Sequence, residues 1–181
     1  LHKVCAVNKY FHKKKLTILL NSHYDTVKPY SGYKLPPFET IEKAGQLFGL
    51  GSNDAGGPLV SLIAVFTCYY NAEDLPFNIV LAATAEEEIS GHDGIEILVP
   101  HLPRVDCGIV GEPTLMKMAI AEKGLLVIDC IAHGVAGHAA RNEGVNAVYK
   151  AMKDIQWFSK HQFEKTSAYL GSVHMAVTSV N

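Results

Sequence analysis

Three short apolar segments of the chain each end in a polar cluster, and this pattern constrains the fold more than any other feature. Residues 16–20 ("LTILL") lead into "NSHYD", 77–84 ("FNIVLAAT") into "EEE", and 106–110 ("DCGIV") into "GEPT". Apolar runs of this length are typical of strands that a parallel sheet buries on both faces. Because sites in open α/β sheets gather beyond the carboxyl ends of the strands, we predict an α/β domain with a mainly parallel sheet and a functional site at one edge.

The segments between these strands predict helices and a loop. The stretch 49–57 ("GLGSNDAGG") is a glycine-rich turn, after which Pro58 suits the first position of a helix that continues to about Tyr70. This apolar segment is too short to span a bilayer and is interpreted as a buried helix. We also expect a loop with short extended pieces over 28–47, which is rich in Pro, Gly and Tyr, and a short helix over 94–101.

The sequence pattern changes at about residue 117, and we therefore predict two domains, 1–116 and 117–181. In the second domain, 125–132 ("LLVIDCIA") and 172–180 ("SVHMAVTSV") predict strands, and apolar residues at helical spacing predict a helix over 144–160. This is the pattern of a smaller β-α-β domain. The chain stops on the last predicted strand without a closing element, so we expect it to be a fragment of a longer protein.

The composition argues against several classes of partner. The 181 residues carry a formal net charge of -2, which gives no electrostatic basis for binding nucleic acid or an anionic membrane. The N-terminal residues lack the apolar core of a signal peptide.

The cysteines predict the redox state of the protein. None of them forms a C-x-x-C pair and three lie in apolar runs, which predicts reduced, mostly buried thiols of a cytoplasmic protein: Cys5, Cys68, Cys107 and Cys130.

The polar clusters contain candidate metal ligands. His23 and Asp25 lie two positions apart at a strand end and face the same way. A metal-binding imidazole usually donates its other N–H to a carboxylate, so Asp25 either orients His23 or binds the metal itself. Asp54 lies in the glycine-rich turn, which lacks the G-K-[ST] and the third glycine of phosphate-binding loops and therefore fits a metal better than a phosphate.

Two further candidates come later in the chain, and each taken alone is also an ordinary loop residue. Pro113 holds Glu112 in an extended conformation, and small neighbours leave the imidazole of His138 accessible to a reacting group. One imidazole with several carboxylates suits Zn²⁺, with Co²⁺ or Mn²⁺ as substitutes, and a nearby glutamate can take a proton from metal-bound water. The remaining imidazoles that we considered are interpreted as structural or surface residues: His92, His101, His133 and His174.

Five motifs, in this order and approximate spacing, resemble the dinuclear-zinc aminoacylase and exopeptidase family. That family includes acetylornithine deacetylase, succinyl-diaminopimelate desuccinylase and carboxypeptidase G. The stretches "NSHYDTV", "GLGSNDAGG" and "AEKG" look most like acetylornithine deacetylase and its succinylornithine-cleaving relatives. The motifs that carry the resemblance are His23-x-Asp25, Gly51-x-x-Asp54, Glu87-Glu88, Gly111-Glu112-Pro113 and Gly137-His138-Ala139.

The resemblance implies two zinc ions in one active site and a role for each ligand. His23 and Glu112 resemble the ligands of the first zinc, Glu88 resembles a ligand of the second, and Asp54 resembles the carboxylate that bridges both. Asp25 then resembles the partner that orients His23. The family often has a cis peptide bond after the bridging residue, which here is the bond between Asp54 and the following alanine.

The resemblance also implies the catalytic residues. Glu87 resembles the general base and His138 the histidine of a lid domain that stabilises the oxyanion, often in the active site of a partner subunit. A shift of the motif by one residue instead makes Glu86 the base and Glu87 the metal ligand. Domain 1–116 then corresponds to part of the catalytic, metal-binding domain and domain 117–181 to part of the α+β lid or dimerisation domain, and a homodimer is expected. The family's further histidine ligand from near the C-terminus is missing, so we expect weak metal occupancy and little activity from these 181 residues alone.

The expected activity is metal-dependent hydrolysis of the amide bond of an N-acyl amino acid. The subfamily resemblance implies N-acetyl-L-ornithine or N-succinyl-L-ornithine as the substrate, and hence a cytoplasmic enzyme of arginine biosynthesis. Two alternatives stay open: a dipeptidase or carboxypeptidase of the same family, which shares the chemistry, and a non-catalytic metal-binding relative.

Overall fold

The computed structural model describes residues 3–141 and 143–181, which divide into two units, Leu1–Lys117 and Met118–Asn181. This division falls next to the predicted boundary, and the roles given to the two domains stay predictions. The elements of the first unit are, in chain order, β1 (Val4–Val7), β2 (Leu16–His23), β3 (Ile41–Lys43), β4 (Gln46–Phe48), α1 (Gly57–Tyr69), β5 (Phe77–Thr84), α2 (Ile95–Leu98) and β6 (Cys107–Val110).

The central sheet of the first unit has the strand order β1-β5-β2-β6. β2 runs parallel to both β5 and β6, while β1 joins the edge of β5 in the antiparallel direction. The prediction of an α/β fold with a mainly parallel sheet is confirmed. Since His23 pairs with Thr84 and Asn21 pairs with Val110, the three parallel strands end at the same edge of the sheet. The polar clusters after these strands are therefore brought together, as the sequence pattern predicts.

The core lies on β5, whose residues from Asn78 to Thr84 are all buried. Val80 and Ala82 are 0% exposed, which is expected for a strand that has neighbours on both sides and side chains covered on both faces. The main hydrophobic cluster joins two strands to one helix and consists of Leu20, Phe66, Ile79 and Leu81.

The helix α1 begins at the predicted place, with Pro58 in its first turn, but it is not a fully buried helix. It buries Leu59 and Phe66, whereas Val60 and Val65 remain exposed. The sequence is apolar around the whole helix, and the sheet can cover only one face of it. In the described ranges, the structure contains no helix that is long and apolar enough to cross a membrane.

Other local predictions had mixed outcomes. The loop with short extended pieces predicted over 28–47 is confirmed, and its extended pieces are β3 and β4, which pair as a short hairpin ending at Phe48. The predicted helix over 94–101 is split into α2 and a 3₁₀ turn, Val99–His101. The cysteines are free thiols, but the prediction that most are buried is wrong because all four are exposed. An apolar run in the sequence shows only that a segment can be buried; the side on which a given thiol lies depends on the strand or helix that carries it.

The second unit contains one regular helix and little sheet. α3 (Ala147–Lys160) confirms the predicted helix, and the side chain of Asn146 caps it by accepting a hydrogen bond from the N–H of Val148. β7 (Thr166–Ser167) and β8 (Gly171–Ser172) form a short hairpin. The strands predicted over 125–132 and 172–180 are wrong: apart from β8, which includes only Ser172, these segments form no strand in the described chain. A strand needs a partner backbone, and a complete α+β lid is not evident here.

A buried amide holds the chain before β2 against β5. Asn78 is 0% exposed, and its side-chain nitrogen donates to the backbone carbonyls of His12 and Lys15 and to the hydroxyl of Thr17. Its side-chain oxygen accepts from the N–H of His12 at 2.8 Å. Both the nitrogen and the oxygen of this amide are therefore hydrogen-bonded, and they connect residues 12–17 to β5.

We expect Asn78→Ala to lower the free energy of unfolding by roughly 2–3 kcal/mol, because buried backbone groups lose their partners. Urea denaturation at equilibrium measures this change. Asn71, which is exposed on the same unit, provides the control, and Asn71→Ala should alter stability by less than about 0.5 kcal/mol. Equal effects of the two substitutions would contradict a role for the buried amide.

Candidate metal centre

The imidazole of His23 lies at the carboxyl end of β2 and is 2% exposed. Its Nδ1 atom is 3.0 Å from the backbone oxygen of Asp25 and 3.4 Å from a carboxylate oxygen of the same residue. On the other side of the ring, Nε2 is 3.2 Å from Oδ1 of Asp54. The ring is therefore held between two acidic residues, and Nδ1 is the atom that donates to Asp25.

Two more carboxylates approach the same nitrogen. Oε2 of Glu87 and Oε1 of Glu112 each lie 3.8 Å from Nε2 of His23. A neutral imidazole carries only one N–H, and here that hydrogen faces Asp25. The lone pair of Nε2 then points toward carboxylate oxygens, which are also acceptors. This arrangement is favourable only when a proton or a metal cation lies between them.

The pKa values of these groups reflect the same unfavourable contact between the imidazole lone pair and the carboxylates. Burial alone lowers the pKa of His23, but the hydrogen bond to the Asp25 carbonyl and the surrounding carboxylates, Glu112 first, outweigh it and raise the net value. Burial raises the pKa of Glu112, and the nearby negative charges raise it further against the opposing effect of His23. The site thus favours positive charge on its imidazole and disfavours the full negative charge of its carboxylates.

The ligand atoms are close enough to share a cation. One atom each from His23, Asp54 and Glu88 lies within 4.8 Å of the others. Zinc is bound by imidazole nitrogen and carboxylate oxygen at about 2.0–2.2 Å, so small rotations of these side chains would place all three around one ion. The chemistry of the donor set fits Zn²⁺, and it also suits Co²⁺ and Mn²⁺.

Asp25 has a second set of contacts that the sequence did not reveal. Its two carboxylate oxygens accept hydrogen bonds from the backbone N–H groups of Glu87, at 3.4 Å, and Glu88, at 3.3 Å. The same residue therefore positions both His23 at the end of β2 and the acidic turn at the end of β5. A sequence gives no signal for a side chain that bonds to the backbone 62 residues away.

The turn that carries Asp54 depends on a glycine. Gly51 has φ of +74°, a conformation that L residues with side chains rarely adopt, and a Cβ atom there would collide with Thr26. The N–H of Gly56 donates to the carbonyl of Gly51 at 2.8 Å and closes the turn. The peptide bond between Asp54 and Ala55 is cis, which confirms the prediction from the resemblance.

Glu86 forms no ion pair with His23 among the described residues and has a structural contact of its own. Its Oε2 atom accepts a hydrogen bond from the N–H of Asp93 at 2.9 Å, and its backbone has φ of +63°. Gly91 lies directly against this side chain, since a Cβ atom on that glycine would be 2.7 Å from Cβ of Glu86. Glu86 thus closes the loop that follows β5, whereas Glu87 and Glu88 extend toward the candidate metal centre.

Hydrogen bonds also fix the segment that carries Glu112. The N–H of Gly111 donates to the carbonyl of Asn21, and the hydroxyl of Ser22 donates to the carbonyl of Gly111, both at 2.8 Å. A Cβ atom at Gly111 would approach Leu62 to 2.9 Å. The short "VGEP" motif is therefore explained by close packing at one residue and by the need to turn a carboxylate toward His23.

The structure does not test every predicted role. His138 lies in the second unit, where its carbonyl accepts from the N–H of Arg141 at 2.9 Å, and its catalytic role stays a prediction. The roles of His23, Asp25, Asp54, Glu87, Glu88 and Glu112 also stay predictions, although the structure brings these six residues together. His92 is exposed and pairs with Glu96 at 3.4 Å, in keeping with its interpretation as a surface residue.

Comparison with known proteins gives relatives of one family. The chain is 27% identical over 177 residues to succinyl-diaminopimelate desuccinylase of Wigglesworthia glossinidia brevipalpis, covering 91% of this chain and 47% of that protein. It is 29% identical over 140 residues to acetylornithine deacetylase of Buchnera aphidicola subsp. Acyrthosiphon pisum (strain Tuc7), covering 76% and 36% respectively. The chain thus spans about half the length, or less, of these curated relatives.

A solved structure and a family model agree with this result. The crystal structure of human carnosine dipeptidase 1 is similar with a TM-score of 0.50 and 25% identity, over 61% of this chain and 25% of that one. The model of peptidase family M20/M25/M40 matches residues 19–177, a range that includes all the candidate site residues. The chain therefore belongs to peptidase family M20/M25/M40.

Proposed function

We propose that the protein carrying this chain hydrolyses the amide bond of an N-acyl amino acid with the help of bound zinc. The observation that carries the proposal is the convergence of carboxylates on Nε2 of His23 at one edge of the sheet. Family membership supports a hydrolase, and the donor set supports a metal-dependent one. Two zinc ions are proposed, with Co²⁺ or Mn²⁺ as substitutes.

Each side chain of the site has a distinct part in the proposal. His23 and Glu112 would hold one ion, Glu88 would hold the other, and Asp54 would bridge the pair. When bound, such ions lower the pKa of a coordinated water and polarise the amide carbonyl. Asp25 keeps the Nε2 lone pair of His23 available by accepting the hydrogen on Nδ1, a contact that also fixes the orientation of the ring.

Glu87 is proposed to transfer the protons. Its carboxylate is exposed and lies 3.8 Å from Nε2 of His23, so it is close to the ions and still open to substrate. It would accept the proton of the attacking water and deliver it to the leaving amine. Stabilisation of the oxyanion by His138 and assembly into a homodimer remain part of the proposal and rest on the family resemblance alone.

The substrate candidates follow from the relatives. Acetylornithine deacetylase supports N-acetyl-L-ornithine as the first candidate, and the subfamily resemblance adds N-succinyl-L-ornithine; either would place a cytoplasmic protein in arginine biosynthesis. Succinyl-diaminopimelate desuccinylase supports an N-succinyl amino acid more generally. The similarity to carnosine dipeptidase 1 supports a dipeptidase as the second candidate.

A substrate panel separates these candidates. We expect the zinc-loaded, full-length gene product to release amino acid from N-acyl amino acids at a kcat/KM at least tenfold above that for simple dipeptides. The panel contains N-acetyl-L-ornithine, N-succinyl-L-ornithine and dipeptides with and without a β-amino acid, and the liberated amine is measured. A preference for dipeptides would favour the second candidate.

Replacing the three consecutive glutamates one at a time tests how their roles are divided. Glu87→Gln should lower kcat by about 10²–10⁴-fold with zinc affinity nearly unchanged, because only the proton acceptor is lost. Glu88→Gln should weaken zinc binding at least tenfold, because a ligand is lost. Glu86→Gln keeps an acceptor for the N–H of Asp93 and should change both quantities by no more than about twofold.

The same three variants decide between the competing interpretations. If Glu86→Gln were inactive and Glu87→Gln bound zinc poorly, the motif would be shifted by one residue. If Glu87→Gln retained full turnover, the assigned base would be wrong. Absence of hydrolysis by the unsubstituted, zinc-loaded protein would support a non-catalytic metal-binding relative.

The buried histidine provides a test of the metal site that does not depend on turnover. We expect His23→Ala to weaken binding of Co²⁺ or Zn²⁺ more than 100-fold, because the site loses its only nitrogen ligand among the described residues. Competition with a metallochromic chelator measures this affinity. His92→Ala is the matched control because its side chain is 97% exposed, and metal affinity should be unchanged. Equal metal affinities of the two variants would show that His23 is not a metal ligand.

A further inference from the structure

The hydroxyl of Ser22 makes a contact that the proposed reaction does not explain. Ser22 lies in β2 directly before His23, and it is 1% exposed although its side chain is polar. Its Oγ atom donates to the carbonyl of Gly111 at 2.8 Å. The next residue is Glu112, a proposed ligand of the zinc ion that His23 would also hold. A buried side chain of β2 is therefore bound to the segment that follows β6 and carries a proposed ligand.

This hydrogen bond extends the attachment of the β6 segment to β2 beyond the paired strand residues. The pairing of β2 with β6 ends at Asn21 and Val110. One residue further on, the N–H of Gly111 donates to the carbonyl of Asn21 at 2.8 Å. The carbonyl of Gly111 accepts from the side chain of Ser22. Both backbone hydrogen-bonding groups of Gly111 are thus held by β2, and the second of them is held by a hydroxyl.

The direction of the chain at Glu112 depends on this carbonyl. The C=O of Gly111 and the N–H of Glu112 belong to one planar peptide group, so a hydrogen bond that fixes the carbonyl also fixes how the chain enters Glu112. Glycine has more backbone freedom than any other residue, which makes such a restraint important. A side chain at position 111 cannot supply the restraint, because a Cβ atom there would lie 2.9 Å from Leu62. The hydroxyl of Ser22 supplies it instead.

The other side of Glu112 is restrained independently of Ser22. The carbonyl of Glu112 accepts from the N–H of Thr114 at 2.8 Å, and Pro113 favours an extended backbone at Glu112. With its backbone held on both sides, Glu112 keeps Oε1 3.8 Å from Nε2 of His23. Carboxylate oxygens bind zinc at about 2.0–2.2 Å, so a displacement of about 1 Å would be enough to lose this ligand.

We propose that Ser22 is a positioning residue of the metal centre, which holds Glu112 in place for zinc through the carbonyl of Gly111. The inference rests on the proposed zinc-dependent function and adds a residue to it. Loss of a hydrogen-bond partner that orients a metal ligand typically weakens metal binding about 10- to 100-fold. Consecutive side chains of a strand point to opposite faces, so Ser22 does not lie beside the imidazole of His23. Its effect on zinc should therefore depend on Glu112.

A double-mutant cycle on zinc affinity tests this dependence. Competition with a metallochromic chelator measures the zinc Kd of the full-length protein. We expect Ser22→Ala to raise this Kd at least about tenfold when Glu112 is present. In Glu112→Ala protein the same substitution should raise it no more than about twofold, because the carboxylate that Ser22 holds in place is absent. Equal factors in the two backgrounds would show that Ser22 acts by another route and would overturn the proposal.

Thr17→Val is the matched control for the loss of a buried hydroxyl from the same strand. Thr17 lies near the opposite end of β2, is 2% exposed, and its hydroxyl accepts from the amide of Asn78 at 3.2 Å. This substitution should lower stability but change the zinc Kd by no more than about twofold. Similar losses of zinc affinity in Thr17→Val and Ser22→Ala would indicate a general weakening of β2 and contradict the positioning role.

A second variant keeps the test valid if Ser22→Ala does not fold. Ser22→Cys nearly preserves the size of the side chain and replaces the hydroxyl by a weak donor. It should raise the zinc Kd at least about threefold, because the carbonyl of Gly111 is held less firmly. An unchanged Kd in folded Ser22→Cys protein would overturn the proposal.

Failure of this inference differs from failure of the proposed function. If Glu112→Ala weakens zinc binding, Ser22→Ala does not, and the unsubstituted protein hydrolyses an N-acyl amino acid, the positioning role is wrong and the hydrolase stands. If zinc affinity depends on both Ser22 and Glu112 but no substrate is hydrolysed, the positioning role stands and the proposed reaction is wrong. If Glu112→Ala leaves the zinc affinity unchanged, Glu112 is not a ligand and the positioning role is wrong with it.

Discussion

The site depends on one unfavourable contact: the lone pair of a buried imidazole faces carboxylates. Nε2 of His23 lies 3.2 Å from Asp54, and among the described residues no Lys or Arg forms an ion pair with either of them or with Glu88. One carboxylate oxygen each of Asp54 and Glu88 lie within 4.8 Å of each other, so these two negative charges repel. Solvent around Asp54, which is 56% exposed, weakens this repulsion. A divalent cation would replace this repulsion with attraction, which is why the arrangement of these side chains suits a metal ion.

The sheet brings these charges together through its register. The parallel pairing of β2 with β5 places His23 beside Thr84, and each acidic segment begins where a strand ends. A slip of one residue would turn every side chain of a strand to the opposite face. Two side-chain hydrogen bonds stabilise this register at the edge of the sheet. The hydroxyl of Ser22 donates to the carbonyl of Gly111, and the side-chain amide of Asn21 donates to the carbonyl of Ala82.

The parallel sheet and the proximity of the site residues could be predicted because they depend on short-range patterns. An apolar run followed by His23 or by the three glutamates specifies both a strand and its polar end. The strands predicted over 125–132 and 172–180 failed for a different reason: apolar content does not supply a partner backbone. The hydrogen bonds from the N–H groups of Glu87 and Glu88 to Asp25 were also beyond prediction, since they join a side chain to the backbone of a distant segment.

The three consecutive glutamates show how one loop separates structural and chemical roles. The left-handed backbone at Glu86, with φ of +63°, directs its carboxylate back to the N–H of Asp93, and the absence of a side chain at Gly91 leaves space for it. The next two backbone N–H groups point instead to Asp25, which is bound to the ring of His23. Repulsion among the three adjacent carboxylates is thereby reduced by their directions: Glu86 turns to the backbone, and Glu87 and Glu88 turn to the candidate metal centre. Glu86, which has no proposed chemical role, closes the loop through Asp93, while Asp25 holds the backbone of the other two glutamates.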